Sequence, residues 1–99
     1  MRLSAVQKDI LFILYAVEQK GNTHPVPGMN ILEMVNKSRS SNVADTNFRT
    51  SCHTLNEHQM IVKFRSQSSL KLAWTLSAGG REKAKELYDR RLKEMAGNN

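Results

Sequence analysis

Six side chains between positions 46 and 54, Thr46, Asn47, Arg49, Thr50, His53 and Thr54, can donate or accept hydrogen bonds at short range. Such a set reads a surface rather than breaking bonds. An arginine fork matches the two acceptors on the major-groove edge of guanine, and an asparagine matches the donor–acceptor pair of adenine. On a helical wheel most of these residues lie away from Ala44, Phe48, Ser51, Cys52 and Leu55, which form a small apolar side. The competing reading is an ordinary solvated helix face. That face usually carries Glu and Lys, good helix formers, whereas this one carries Thr, Asn and His, which are poor ones. The departure favours a surface kept for recognition.

Other reactive residue types give weaker patterns. Cys52 and His53 adjoin, with His58 nearby and His24 far upstream, but a metal site needs three or four converging ligands. Cys52 falls on the inner side of the wheel and His53 on the outer, so a buried small hydrophobe is the better account of the thiol. No Gly-rich phosphate loop, zinc-binding helix motif or nucleophile elbow occurs. The expectation is therefore no enzyme, no catalytic residue, no metal and no cofactor.

The reading segment must be held by elements before and after it. Ser4 with Gln7 forms a capping box, and Val6, Ile10, Ile13, Leu14 and Val17 then recur at helical spacing until Gly21 and Asn22 end the helix. Leu11, Phe12 and Tyr15 widen its apolar surface beyond one face, either for a partner or because a small domain wraps the helix. The two prolines of NTHPVPG impose an extended path. A short second helix follows over MNILEMVNK, with Ile31, Leu32 and Val35 inward. The polar KSRSSN leads to the third helix, expected from about 43 to 58 and capped by Asn42 or Asp45.

Two alternating runs come next. Met60, Val62 and Phe64 alternate with Lys63 and Arg65, and Leu70, Leu72, Trp74 and Leu76 alternate with Lys71, Ala73 and Thr75. Both have the period of half-buried strands, joined by the polar SQSS as a loose hairpin spanning about 60–76. Ser77 then caps a last helix, expected over 77–95, with Ala84, Leu87, Tyr88, Leu92 and Met95 as its apolar stripe.

The chain has 99 residues, which sets one domain, 1–99, as the expectation. Its net charge is +6, unevenly spread: residues 1–60 carry 6 Lys+Arg against 5 Asp+Glu, and residues 61–99 carry 9 against 4. A basic excess of this kind points to a polyanion. Apolar runs fall short of the ~20 residues of a membrane span, and neither a secretory signal nor a second cysteine is present, so the expected location is cytoplasmic.

Two segments carry a family likeness. LNEHQMIVKF at 55–64 looks like the end of a recognition helix passing into a wing strand. In WTLSAGGREKAKEL at 74–87, Leu76, Ser77, Gly80 and Arg81 match a strand-to-helix corner with a Gly-Arg pair. With the order helix, helix, helix, hairpin, helix, the chain resembles the winged helix-turn-helix DNA-binding proteins, among them the small MarR-like and PadR-like bacterial regulators. Gln59 stands where many of those proteins have Gly.

The resemblance implies a mainly α fold with a small β-hairpin. It places the third helix in the major groove of double-stranded DNA and the wing against the backbone. Lys37, Arg39, Ser40 and Ser41 before that helix, and Lys63, Arg65, Ser68 and Lys71 in the wing, become candidate backbone contacts; a solvated loop would have the same composition. Such readers work as two-fold dimers. Leu11, Phe12, Tyr15, Leu87, Tyr88, Leu92 and Met95 are the expected homodimer surface. The function so implied is transcriptional regulation, as a repressor. The alternatives are a winged-helix protein-interaction module, or a DNA-binding partition, replication-control or architectural protein. Nothing identifies a small-molecule effector.

Overall fold

The structure is a computed structural model that describes residues 2–65 and 71–97. Its elements run α1 (Ala5–Gln19), β1 (Val26–Pro27), α2 (Gly28–Lys37), α3 (Asp45–Glu57), β2 (Ile61–Arg65), β3 (Leu72–Leu76) and α4 (Ala78–Gly97). This is the mainly helical winged-helix arrangement.

Local chemistry sets the helix ends. Ser4 Oγ accepts from Gln7 N at 3.2 Å and Gln7 Oε1 accepts from Ser4 N at 2.9 Å, closing the expected capping box of α1. At the other end Gly21 takes φ +97°, Gly21 N donates to Glu18 O, and Asn22 N reaches back to Val17 O. That is a Schellman motif. Helix α3 ends with the same pattern: Gln59 N donates to Asn56 O and Met60 N to Leu55 O, with Gln59 at φ +60°. A glutamine thus occupies the left-handed position that α1 gives to glycine. The start of α3 differs from expectation. Its N-cap is Ala44, with no side-chain cap; neither Asn42 nor Asp45 fills that role. Instead Asn36 Oδ1 accepts from Val43 N at 2.8 Å, and the Val43 side chain is buried.

The sheet has three strands in the order β1-β3-β2, both pairs antiparallel. The expected extended path through the prolines becomes a real strand, Val26 opposite Trp74 and Pro27 opposite Ala73. In β2 the apolar phase is the reverse of the expected one. Ile61 lies opposite Leu76 and is buried, while Val62 and Phe64 point to the other face and are 40% and 45% exposed. The run MIVKFR has apolar residues in both phases, and Leu76 and Trp74 of β3 decide which one meets the core. Leu70, Ser66, Gln67, Ser68 and Ser69 lie outside the described residues.

Ile10, Leu11 and Leu14 of α1, Ile31 and Val35 of α2, Phe48, Cys52 and Leu55 of α3, and Trp74 and Leu76 of β3 build one core, closed by Ala84 and Leu87 of α4. α1 is therefore buried on two sides, against α2 and α3 on one and along α4 on the other. This explains its wide apolar surface. It also corrects the expected dimer surface, because Leu11, Tyr15 and Leu87 are spent on the core of the chain itself. Phe12 stacks on Tyr88 with ring centroids 5.4 Å apart, and Tyr15 meets Tyr88 at 5.1 Å, so these rings too are engaged within the molecule. Leu92 and Met95 stay 45% and 68% exposed.

Candidate nucleic-acid interface

Helix α3 divides as its sequence requires. Phe48, Ser51, Cys52 and Leu55 are buried, whereas Thr46, Asn47, Arg49, Thr50 and His53 are exposed and Thr54 is half-buried. Spacing of four residues splits the open side into two rows. Thr46, Thr50 and Thr54 form one. Asp45, Arg49 and His53 form the other, beside the wing.

That second row borders a cleft of about 440 Å³ between α3, the start of α2 and β3, whose lining includes Met29, Phe48, Arg49, His53, Lys71 and Trp74. The His53 ring meets Trp74 edge-on at 5.6 Å. Arg49 and His53 of α3 and Lys71, just before β3, thus line one cleft. By register, Lys63 and Arg65 share a sheet face with Trp74 and Leu72, the face turned toward α3. Both are exposed. Lys37, at the end of α2, and Ser40 and Ser41, in the segment leading into α3, are exposed as well. Ser68 lies outside the described residues.

Two arginines carry intramolecular partners that the spacing argument overlooked. Arg49 Nη2 lies 2.7 Å from Asp45 Oδ2, an i,i+4 pair on an exposed surface. Such pairs contribute only about 0.3–0.5 kcal/mol, so Asp45 orients Arg49 without committing it. The spacing alone could have revealed that contact. Arg39 is different. Its Nη1 donates to Asp9 Oδ2 at 2.6 Å, across 30 positions of sequence, and its side chain is mostly covered. The guanidinium expected to face phosphate is instead bound to α1; no local pattern reports this.

Cys52 is fully buried, and burial pushes its thiol from 9.0 up to about 12. It is a packing residue with no thiolate character at neutral pH, and it faces the core while His53 faces outward. Among the described residues no three His, Cys, Asp or Glu side chains gather as a metal-binding group. None of the described helices is long and apolar enough to cross a membrane.

The corner that joins α3, β2 and α4 is tightly made. Ser77 Oγ donates to Gln59 O at 2.6 Å and accepts from Gly80 N at 3.0 Å, while Ser77 N donates to Met60 O at 3.0 Å. Arg81 then reaches α1, with Nε 2.8 Å from Glu18 Oε1 and Nη2 3.0 Å from Glu18 Oε2. The residues that carried the likeness, Leu76, Ser77, Gly80 and Arg81, are the ones that lock this corner.

No family model matches the chain, and no curated protein does. Solved structures do. The chain superimposes on the zinc-responsive MarR family member ZitR of Lactococcus lactis with TM-score 0.77 and 19% identity, covering 99% of this chain and 60% of that one. It matches the adhesin competence repressor AdcR of Streptococcus pyogenes with TM-score 0.77 and 13% identity, covering 99% of this chain and 63% of that one. SSV1 F-93 gives TM-score 0.72 and 11% identity, with 97% and 96% covered. The fold is a MarR-like winged helix. The chain spans about three-fifths of the length of ZitR and AdcR, and nearly all of F-93. None of these names describes an enzyme.

Proposed function

We propose that this protein is a transcriptional regulator that binds double-stranded DNA in a sequence-specific manner and acts as a repressor in the cytoplasm. One observation carries the reading. The open side of α3 is built from Thr46, Asn47, Arg49, Thr50 and His53, donors and acceptors that are poor helix formers, on a winged-helix frame. In this reading α3 enters the major groove. Arg49 and Asn47 read base edges, and Thr46, Thr50, His53 and Thr54 supplement them. Lys63, Arg65 and Lys71, with Lys37, Ser40 and Ser41 ahead of α3, hold phosphates. AdcR is named a repressor, which supports the sign of regulation. ZitR is named as zinc-responsive, but no metal-binding group forms among the described residues here, so zinc has no part in the proposal.

A reader of this type works as a two-fold dimer. With Leu11, Tyr15 and Leu87 used internally, the surface proposed for pairing is the far end of α4, Leu92 and Met95, with the edges of Phe12 and Tyr88 beside it. A second reading, a protein-interaction module, draws on the exposed Val62 and Phe64 of the wing.

Enrichment of duplexes from a random-sequence pool at two salt concentrations tests the choice, with Arg49→Ala and Thr50→Ala in parallel. An enriched inverted repeat that both changes abolish is the expected result. Unselective binding lost at moderate salt would indicate an architectural protein, and no binding by the folded protein would leave the interaction module.

A further inference from the structure

Asp9 lies on α1, outside the reading surface, yet it is the meeting point of three elements. Its Oδ2 accepts from Arg39 Nη1 at 2.6 Å and its Oδ1 from Arg91 Nη2 at 2.7 Å. Arg39 belongs to the segment joining α2 to α3, and Arg91 belongs to α4, where its guanidinium sits 4.5 Å over the Phe12 ring. The Asp9 side chain is only 14% exposed, and those of Arg39 and Arg91 are 31% and 36% exposed. This is no freely solvated surface pair. One carboxylate serves two guanidiniums, and its removal would leave two like charges side by side in a partly covered site.

Among the described residues, the other hydrogen bonds of 38–43, the segment it holds, go to the end of α2, that of Ser38 Oγ to Val35 O included. Helix α3 begins without a side-chain cap. The lead-in from 38 to 44 is fixed on one side by Asn36, which accepts from Val43 N and, through its carbonyl, from Arg39 N at 3.3 Å. On the other side it is tied to distant parts of the chain by the Val43 side chain, buried in the core, and by the ion pair of Arg39 with Asp9. We propose that Asp9 is a positioning residue for DNA reading: through Arg39 it sets the stance of α3, and through Arg91 it couples that stance to α4. The proposal rests on the regulator reading above. It assigns Arg39 to the scaffold and not to phosphate.

Two measurements on the full chain decide it. The first is fluorescence anisotropy with a duplex enriched from the random pool and a scrambled duplex of equal length, for wild type, Asp9→Asn, Asp9→Glu, Arg39→Gln and the Asp9→Asn/Arg39→Gln pair. Asp9→Asn should lose about tenfold in affinity for the enriched duplex, with the scrambled duplex unchanged or bound more tightly, because a coupled network contact is lost and a cation is released. The double variant should be no weaker than Asp9→Asn alone, and Asp9→Glu should recover part of the loss. Equal binding of both duplexes by wild type and Asp9→Asn overturns the proposal, as does a proportional loss on both together with general unfolding. The second measurement needs no DNA. Amide hydrogen exchange should quicken over residues 38–47 in Asp9→Asn while the buried turns of α1 keep their protection. Unchanged exchange in that segment overturns the proposal. If wild type binds no duplex at all, the regulator reading falls, and with it the role in reading; the exchange result then still decides whether Asp9 holds the lead-in.

Discussion

The corner around Gln59, Ser77 and Gly80 and the open side of α3 are neighbours in space and opposites in construction. In the corner Gln59 O, both Met60 N and O, Ser77 N and Gly80 N all have hydrogen-bond partners, and a Cβ placed on Gly80 would lie 1.7 Å from Met60 O. On the open side, Thr46, Asn47, Thr50 and His53 face solvent, and Arg49 holds only an exposed ion pair. The corner uses sequence to set an angle between elements. The face uses sequence to present chemistry at that angle. Substitutions in the first should therefore register as stability, and in the second as affinity.

The largest effect separates two adjacent glycines. Gly80→Ala forces α4 away from the α3–β2 turn and should cost about 3 kcal/mol or more, at the severe end of overpacking. Gly79→Ala has nothing within 4 Å of the added Cβ, and it should stabilise by about 0.5–1 kcal/mol, the usual helical gain over glycine. Urea unfolding midpoints measure both. Equal effects at the two positions would break the view of the corner as a steric lock.

On the open side the expectation reverses. Arg49→Ala and Thr50→Ala should leave the unfolding midpoint within about 0.5 kcal/mol of wild type, as exposed substitutions do. Binding of the enriched duplex should weaken by about 1–3 kcal/mol for Arg49→Ala, with relaxed preference at one base pair. A variant at Lys63 or Arg65 should instead weaken all duplexes alike and flatten the dependence on salt. Titrations at several salt concentrations distinguish the two patterns.

The same contrast marks what could be read from the sequence. The corner was legible because steric demands restrict residue type: Ser77 as cap and Gly80 at a close approach leave a pattern. The inner side of α3 was legible because Phe48, Ser51, Cys52 and Leu55 follow the helical period. β1 was not, since two residues have no period and the strand exists through its pairing with β3. The phase of β2 was misread because Ile61, Val62 and Phe64 put apolar residues on both faces. Arg39 reads as a loop cation, and only folding brings Asp9 to it. Leu11, Tyr15 and Leu87 read as spare apolar surface, because nothing local says that α4 returns along α1.

A smaller effect tests the corner from its turn. Gly21 and Gln59 hold the same left-handed position at the ends of α1 and α3. A residue with a Cβ is disfavoured there by roughly 1–2 kcal/mol, and glycine returns part of this through its freer unfolded state. Gln59→Gly should therefore stabilise by about 1 kcal/mol, a rise in Tm of several degrees for a domain of this size. DNA affinity should not change, since the turn angle is kept. A fall in Tm would mean that the Gln59 side chain contributes more than its backbone strain costs.

The smallest effect on stability joins the two regions. Asp45 is the first residue of α3, where a carboxylate meets the positive end of the helix dipole, and it also pairs with Arg49. Both contributions are exposed, so Asp45→Asn should cost about 0.5 kcal/mol of stability. Its consequence for DNA should have the opposite sign. The substitution removes a negative charge from the row of Arg49 and His53 and releases Arg49, so under the proposed function affinity should rise, most at low salt where screening is weakest. Scrambled duplexes should gain as much as the enriched one if the charge acts at long range. A gain confined to the enriched duplex would instead mean that Asp45 holds Arg49 away from its base. The ratio of the two gains therefore measures how far Asp45 acts as a restraint on Arg49 and how far as a repulsive charge.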